Sequence, residues 1–118
     1  MHYEISYDKA LEKGQKENKP IIMMVEQSGC PYCNKFELKT LTKDEIQSKV
    51  IKDFIPLTIL RDVDTFPKQF YTKGVPTVLF IESIEQKIFY KSFGYKSKNE
   101  YETELDTALS ILKKGKKN

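Results

Sequence analysis

The 118-residue chain has no tryptophan, two cysteines and one histidine. Two cysteines are too few for the disulfide-rich scaffold of a small secreted domain. Together with the distant His2, they also fall short of the roughly four ligands of a structural zinc site, so we expect no bound metal. No apolar run approaches the roughly 20 residues of a membrane-spanning helix, so we expect no stable membrane insertion.

The net charge is also small, because 17 acidic residues offset 20 basic ones. Arg61 is the only arginine. Nucleic-acid-binding domains more often gather Arg and Lys on one face and have an isoelectric point above about 9. Acids and bases alternate here, so we expect no nucleic-acid partner. The one basic run falls in residues 113–118, which we predict to be a flexible tail. A weak attraction of this run to acidic surfaces is the alternative.

Hydrophobic periodicity predicts a single α/β domain over residues 1–118, a length typical of one core. Residues 20–26 form a continuous apolar run, which indicates a strand buried on both faces. A helical crossover joins it to a second strand at residues 54–60, so these two should be parallel. A short turn joins strands at residues 78–81 and 88–93, which should be antiparallel. The predicted order is α-β-α-β-α-β-β-α, with helices flanking a central mixed four-stranded sheet.

Two pairs of residues have the spacing of a capping box, in which each side chain bonds the other residue's backbone N–H. Thr42 with Glu45 predicts a helix that starts directly after Thr42, and Ser97 with Glu100 predicts another directly after Ser97. Residues 31–41 are predicted to form a helix whose apolar positions are Phe36, Leu38 and Leu41.

The segment Cys30-Pro31-Tyr32-Cys33 lies between the first buried strand and a helix. Two intervening residues let both sulfurs meet within one helical turn. Cys30 falls at the helix N-terminus, where unpaired N–H groups favour a thiolate, the nucleophile of disulfide exchange. Pro31 suits the first helical position, and together with Tyr32 it forms the loop that tunes the thiol pKa. Cys30 is the predicted attacking thiol, and the less accessible Cys33 the thiol that resolves the mixed disulfide.

The cysteine pair has three other interpretations. A structural disulfide between Cys30 and Cys33 would close too short a loop to stabilise much. A zinc site lacks ligands, and two inert buried thiols do not fit an exposed helix start. The pattern favours a redox-active disulfide, which would itself take the place of a cofactor.

A second candidate feature is Val75-Pro76 at the start of the third strand. Proline is tolerated there only at sheet edges or in special turns. A cis bond before proline is a few-per-cent event, so the residues alone leave a trans and a cis bond open.

With these motifs in place, the chain resembles the thioredoxin-fold thiol–disulfide oxidoreductases over residues 7–113. The resemblance implies that Pro76 is cis beside the cysteines and that the backbone of Val75 pairs with substrate as an added strand. The subgroup it resembles is the thioredoxin-like domains of bacterial periplasmic thiol:disulfide interchange proteins. Four segments carry it: residues 18–22, 30–33 and 74–77, and Gly94.

The chain also departs from typical thioredoxins. Gly29 replaces the tryptophan before the first cysteine, and Met24 stands where a buried aspartate would shuttle the resolving thiol's proton. Glu26, four residues before Cys30, is our candidate for that proton transfer. A strand-end residue that faces solvent is the alternative for Glu26, and simple loop filling is the alternative to substrate contact for Tyr32.

The predicted function is reduction of protein disulfides by a monomer that a partner thiol–disulfide reductase recharges. The alternatives are a disulfide oxidase or isomerase, a glutathione-linked reductase, and a binding module without turnover. Oxidases of the fold often carry a helical insertion. Cys-Pro-Tyr-Cys is the glutaredoxin tetrapeptide, but residues 93–97 replace the expected glutathione site. The resemblance favours a processed periplasmic form, and the absent signal peptide favours the cytoplasm.

Overall fold

The computed structural model describes residues 6–115, and its elements follow the order predicted from the sequence. The helices are α1 (Tyr7–Glu17), α2 (Pro31–Phe36), α3 (Asp44–Asp53) and α4 (Lys98–Gly115). The strands are β1 (Ile21–Glu26), β2 (Ile55–Leu60), β3 (Thr77–Ile81) and β4 (Ile88–Phe93). A π-helical turn (Glu37–Leu41) directly follows α2, and a 3₁₀ turn (Lys68–Phe70) precedes β3.

β1 lies in the interior of a sheet with the strand order β2-β1-β3-β4. It pairs in parallel with β2, with Glu26 opposite Leu60, which confirms the predicted crossover. β3 is antiparallel to both β1 and β4. Since Val25 lies opposite Thr77, the chain leaves β1 and β2 and enters β3 at one edge of the sheet, here called the carboxyl edge.

The side chains of β1 alternate between two hydrophobic clusters, one on each face of the sheet. Met24 packs on one face with Phe36 of α2, and Met23 packs on the other with Tyr7 of α1 and Phe70. All residues of β1 are buried, which confirms the prediction of a strand covered on both faces. The rigid centre of the sheet therefore holds the carboxyl edge in place.

The helical segment after the cysteines is not one continuous α-helix, because its second half is the π-helical turn. The wider turn brings Leu41 to the buried side with Phe36 and leaves Leu38 70% exposed. Of the three apolar positions expected on this helix, Phe36 and Leu41 therefore join the core and Leu38 does not. The turn also buries Thr40, whose Oγ1 donates a 2.6 Å hydrogen bond to the Lys96 carbonyl.

One of the two predicted capping boxes forms. The Ser97 N–H donates to Glu100 Oε1 at 2.9 Å, and the Glu100 N–H donates to Ser97 Oγ at 3.3 Å. At α3 the capping residue is Lys43, and no side chain caps the helix. The prediction of a capping box at Thr42 is wrong. The Thr42 side chain is bonded to the preceding π-helical turn instead, because its Oγ1 donates to the Leu38 carbonyl at 3.2 Å.

α4 runs to Gly115, so Lys113 and Lys114 lie in its last turn and not in a flexible tail. Cations in a last turn interact favourably with the unpaired carbonyls there. The rest of the predicted tail, residues 116–118, lies outside the described residues. Between residues 6 and 115, no helix has both the length and the apolar character needed to cross a membrane.

Candidate active site

The chain leaves β1 at the carboxyl edge through a tight turn that ends at Cys30. The Cys30 N–H donates to the Gln27 carbonyl at 3.2 Å. Gly29 has a φ of 73°, a conformation in which a side chain would be strained. Cys30 then has an extended backbone and caps α2, whose first residue is Pro31, so the first cysteine stands at the helix start as the sequence indicated.

The two cysteines form a disulfide with their Cα atoms 5.2 Å apart. Cys33 is 2% exposed, whereas Cys30 is half-buried. The Cys33 N–H donates to Cys30 Sγ at 3.1 Å. A donor in this position stabilises negative charge on sulfur, so it favours a Cys30 thiolate once the disulfide is reduced. Pro31 and Tyr32 are both exposed, Tyr32 by 64%, so the side of the pair facing solvent is open to a large molecule.

The peptide bond between Val75 and Pro76 is cis. Pro76 is buried, and its carbonyl accepts the Gly94 N–H at 2.8 Å. Val75 is half-buried and packs against the hydrophobic cluster on the α1 face. The loop before β3 starts at the same carboxyl edge that β1 reaches, so the topology brings Val75 and the cysteine turn to one side of the molecule.

Glu26 ends β1 and is 6% exposed, so the interpretation of a strand-end residue facing solvent is wrong. Its Oε2 is buried without a hydrogen-bond partner. Burial raises the pKa of the Glu26 carboxyl to about 7, and the neighbouring Glu37 adds to the shift through its charge and a carboxyl–carboxyl hydrogen bond. Glu37 belongs to the π-helical turn, four residues after Cys33. It escaped the sequence analysis because only the fold brings the two carboxyls together.

A sequence profile described as a thioredoxin-like domain matches residues 7–109. The chain belongs to this thioredoxin-like family. Anterior gradient protein 3 of Mus musculus is 28% identical to it over 79 residues, which are 65% of this chain and 47% of that protein. The chain spans less than half the length of the curated relatives it matches.

Solved structures share the fold of this thioredoxin-like chain. A protein described as DsbH oxidoreductase matches with a TM-score of 0.79 at 21% identity, covering 93% of this chain and 85% of that one. A thioredoxin from Thermus thermophilus matches with a TM-score of 0.79 at 19% identity, covering 92% and 88% of the two chains. The predicted thioredoxin fold, with its mixed sheet flanked by helices, is confirmed.

The thioredoxin-like site has an apolar side chain where typical thioredoxins have a buried aspartate. Met24 is buried in the cluster with Phe36. It has no group that could take up a proton. In this chain the buried carboxyl lies two positions later, at Glu26, on the last residue of the strand.

Aromatic side chains stand exposed around the carboxyl edge. Besides Tyr32, these are Tyr71 at 60% and Phe93 at 64% exposed, on the loop before β3 and at the end of β4, where Phe93 lies opposite Thr77. Sequence reasoning missed Tyr71 and Phe93, because most aromatic residues were expected in the core. Within residues 6–115, no three His, Cys, Asp or Glu side chains cluster in a way that could hold a metal ion.

Proposed function

We propose that the protein reduces disulfide bonds of other proteins, as a single-domain monomer. The contrast between the two sulfurs carries the proposal. Cys30 is half-buried with the Cys33 N–H on its Sγ at 3.1 Å, and Cys33 is 2% exposed behind it. An accessible, stabilised thiolate suits attack on a large substrate, and a shielded neighbour suits its release. The cysteine pair itself carries the electrons, so the reaction needs no bound cofactor.

In the reduced protein, the Cys30 thiolate attacks one sulfur of the substrate disulfide. The substrate S–S bond breaks, a bond from Cys30 to substrate forms, and one substrate thiolate leaves. Cys33 then loses its proton, attacks Cys30 Sγ and releases the second substrate thiolate. Two electrons have moved from the cysteine pair to the substrate, and the Cys30–Cys33 disulfide remains. A partner dithiol reductase restores the pair by the reverse exchange.

Val75 and Pro76 form the substrate platform in this proposal. Val75 lies just before the β3 ladder begins, where an extended peptide can add as a further strand. Pro76 has no N–H, and its carbonyl is already taken by Gly94. The exposed ring of Tyr32 would contact apolar side chains of the substrate next to the cysteines.

Glu26 is assigned to proton transfer at Cys33. A carboxyl with a pKa of about 7 exchanges protons readily near neutral pH. Its Oε2 is buried without a hydrogen-bond partner. In this proposal the carboxyl accepts the Cys33 proton during attack and returns it when the pair is reduced again. The carboxyl takes over the task of the aspartate that is absent at Met24.

The connection between β2 and β3 supports reduction over oxidation. Residues 61–76 contain a 3₁₀ turn and loops, without the helical insertion that oxidases of this fold often carry. A reductase role predicts a reduction potential of the cysteine pair nearer to about −270 mV than to about −120 mV.

Two measurements test the proposal. The purified protein should catalyse reduction of insulin disulfides by dithiothreitol, followed as turbidity of the released B chain. Equilibration of Cys30–Cys33 against a glutathione buffer should give a potential below about −230 mV. A value near −150 mV or above would reverse the proposed direction and point to an oxidase or isomerase. No catalysis together with no exchange would leave a binding module.

A further inference from the structure

Arg61, the only arginine of the chain, follows β2 directly and takes no part in the chemistry above. Its backbone N–H donates to the Glu26 carbonyl at 2.9 Å. Its Nε donates to Gln27 Oε1 at 2.7 Å. Its Nη1 donates to the carbonyls of Thr72 and Lys73, at 2.6 and 2.8 Å. One guanidinium therefore joins the turn before the cysteines to the loop that leads into β3.

Arginine is chemically suited to this task. A guanidinium is planar and donates hydrogen bonds in fixed directions, so it can hold acceptors from two segments at a set separation. The ring of Tyr71 lies 5.7 Å from the Arg61 guanidinium carbon, close enough for a cation–π contact. Arg61 is also half-buried, so solvent screens these bonds less than it would at a fully exposed side chain.

A second contact joins the turn before the cysteines to the end of β2. The Ser28 N–H donates to Asp62 Oδ1 at 3.1 Å, and this bond holds the pKa of the Asp62 carboxyl below its usual range. The turn after β2 is closed in its own right, because the Leu60 N–H donates to Asp64 Oδ2 at 2.8 Å. The end of β2, which carries Arg61, is therefore already hydrogen-bonded to the turn before the cysteines. The Arg61 side chain extends from there to the loop before β3.

We propose that Arg61 is a positioning residue that sets the Val75–Pro76 platform at the right distance from Cys30 for a bound protein substrate. This inference rests on the proposed function. A peptide paired at Val75 must present its sulfur to Cys30, and the two groups lie on separate loops. With a misplaced platform a peptide can pair at Val75 or reach Cys30, but not both, so productive binding weakens and KM rises. A misplacement of about 1 Å can cost about 100-fold in kcat/KM. A small disulfide that does not use the platform should be indifferent to Arg61.

Two variants test the side chain, and a third serves as the matched control. Arg61→Met removes the guanidinium and its N–H donors. Arg61→Lys keeps the positive charge but loses the planar guanidinium that can bond two segments at once. Lys49→Met removes a cation whose Nζ pairs with Asp106 at 2.7 Å, on helices away from the carboxyl edge. For each variant we would measure KM and kcat with insulin, the rate with the small disulfide 5,5′-dithiobis(2-nitrobenzoate), the reduction potential, and the thermal midpoint.

The expected result is a selective loss. Arg61→Met should raise KM for insulin by about 10-fold or more, while the small-disulfide rate and the potential stay within about twofold of wild type. Arg61→Lys should raise KM by a smaller factor, because an ammonium can satisfy one of the two segments. Lys49→Met should leave all three values unchanged.

An equal loss with insulin and the small disulfide, in step with the thermal midpoint, would overturn the positioning role and leave a structural one. An unchanged KM in a folded Arg61→Met would also overturn it. If Arg61→Met does not fold, Arg61→Lys and Gln27→Ala carry the test, and wild-type KM in both would refute it. A wild-type protein that does not reduce insulin would overturn this inference and the proposed function together.

Discussion

Two helices of the protein begin with the same hydrogen bond made by different atoms. At α4, Ser97 Oγ accepts the Glu100 N–H at 3.3 Å. At α2, Cys30 Sγ accepts the Cys33 N–H at 3.1 Å. In both, the residue before the helix accepts from the residue three positions on. At α4 a carboxylate completes the box, whereas at α2 the third position supplies a second sulfur, bonded to the first.

This hydrogen bond has two different effects: the capping atom stabilises the helix, and the helix N–H stabilises negative charge on the capping atom. A serine hydroxyl does not ionise near neutral pH, so the bond at Ser97 only stabilises the helix. A thiol with an ordinary pKa near 8.5 does ionise, so the same N–H at Cys30 favours its thiolate form. One backbone geometry therefore gives a structural cap at α4 and, in the proposed mechanism, a nucleophile at α2.

Two carboxyls close to these helix starts differ in a parallel way. Glu100 accepts the Ser97 N–H, which lowers the pKa of its exposed carboxyl. Glu26 is buried with Glu37 beside it, and burial raises its pKa to about 7. Hydrogen bonds from N–H groups favour the charged carboxylate, and burial beside another acid disfavours it.

The largest expected effect comes from Cys30→Ser, which gives α2 the cap of α4. Insulin reduction should fall by at least about 1000-fold, because a hydroxyl is a poor nucleophile at neutral pH and cannot form the disulfide. The helix should persist, because serine is a good cap. Turbidity assays would measure insulin reduction, and far-ultraviolet circular dichroism would measure the helix content. Retention of full biological activity by this variant would instead favour a binding module.

Next in size is the pH dependence that Glu26 imposes on stability. Its folded pKa of about 7 exceeds the ordinary value of 4.5, so the folded state holds the proton more tightly. The stability that Glu26 contributes should therefore be fully present below about pH 4.5 and fall as pH rises through about 7, by about 3 kcal/mol in all. Glu26→Gln should abolish that fall. Urea unfolding of the oxidised protein from pH 4 to 9 measures both.

Glu100→Gln is the control for this prediction. The lowered pKa of Glu100 contributes stability above its ordinary value of 4.5, and that contribution is lost as pH falls through the folded pKa. The variant should therefore differ from wild type in acid and leave the fall toward pH 7 intact. An identical slope in wild type and Glu26→Gln between pH 5 and 8 would refute the assignment to Glu26.

The smallest expected effect belongs to the structural cap. Ser97→Ala should lower the free energy of unfolding by about 1 kcal/mol, because the Glu100 N–H loses its acceptor. Insulin reduction per folded molecule should stay at the wild-type level, since Ser97 lies outside the cysteine site. Urea unfolding measures the free energy of unfolding, and the turbidity assay measures insulin reduction. A drop in kcat would mean that the start of α4 affects the geometry of the cysteine site.

Local signals predicted most of the fold and the centre of the site. The apolar run of β1, the Cys30–Cys33 motif and the Ser97 box involve neighbours in sequence, and all three stand in the structure where they were expected. The box at Thr42 failed although its spacing was equally good. The π-helical turn before it is held by a contact between Thr40 and Lys96, which no local pattern contains.

The residues that surround the cysteines were harder to foresee. Glu37 meets Glu26 and Arg61 reaches Thr72 only because separate segments converge on the carboxyl edge. Exposure of Glu26 was likewise undecidable from the strand pattern, since the last residue of a strand can point either into the protein or out to water.

By itself, the sequence determined the order of elements, the burial of β1 and the place of both cysteines at a helix start. These follow from hydrophobic periodicity and capping chemistry, which act over a few residues. Tertiary structure alone decided the raised pKa of Glu26 and the bridge made by Arg61. Desolvation and directional hydrogen bonds depend on which distant atoms come within a few ångströms, and only the folded chain sets those distances.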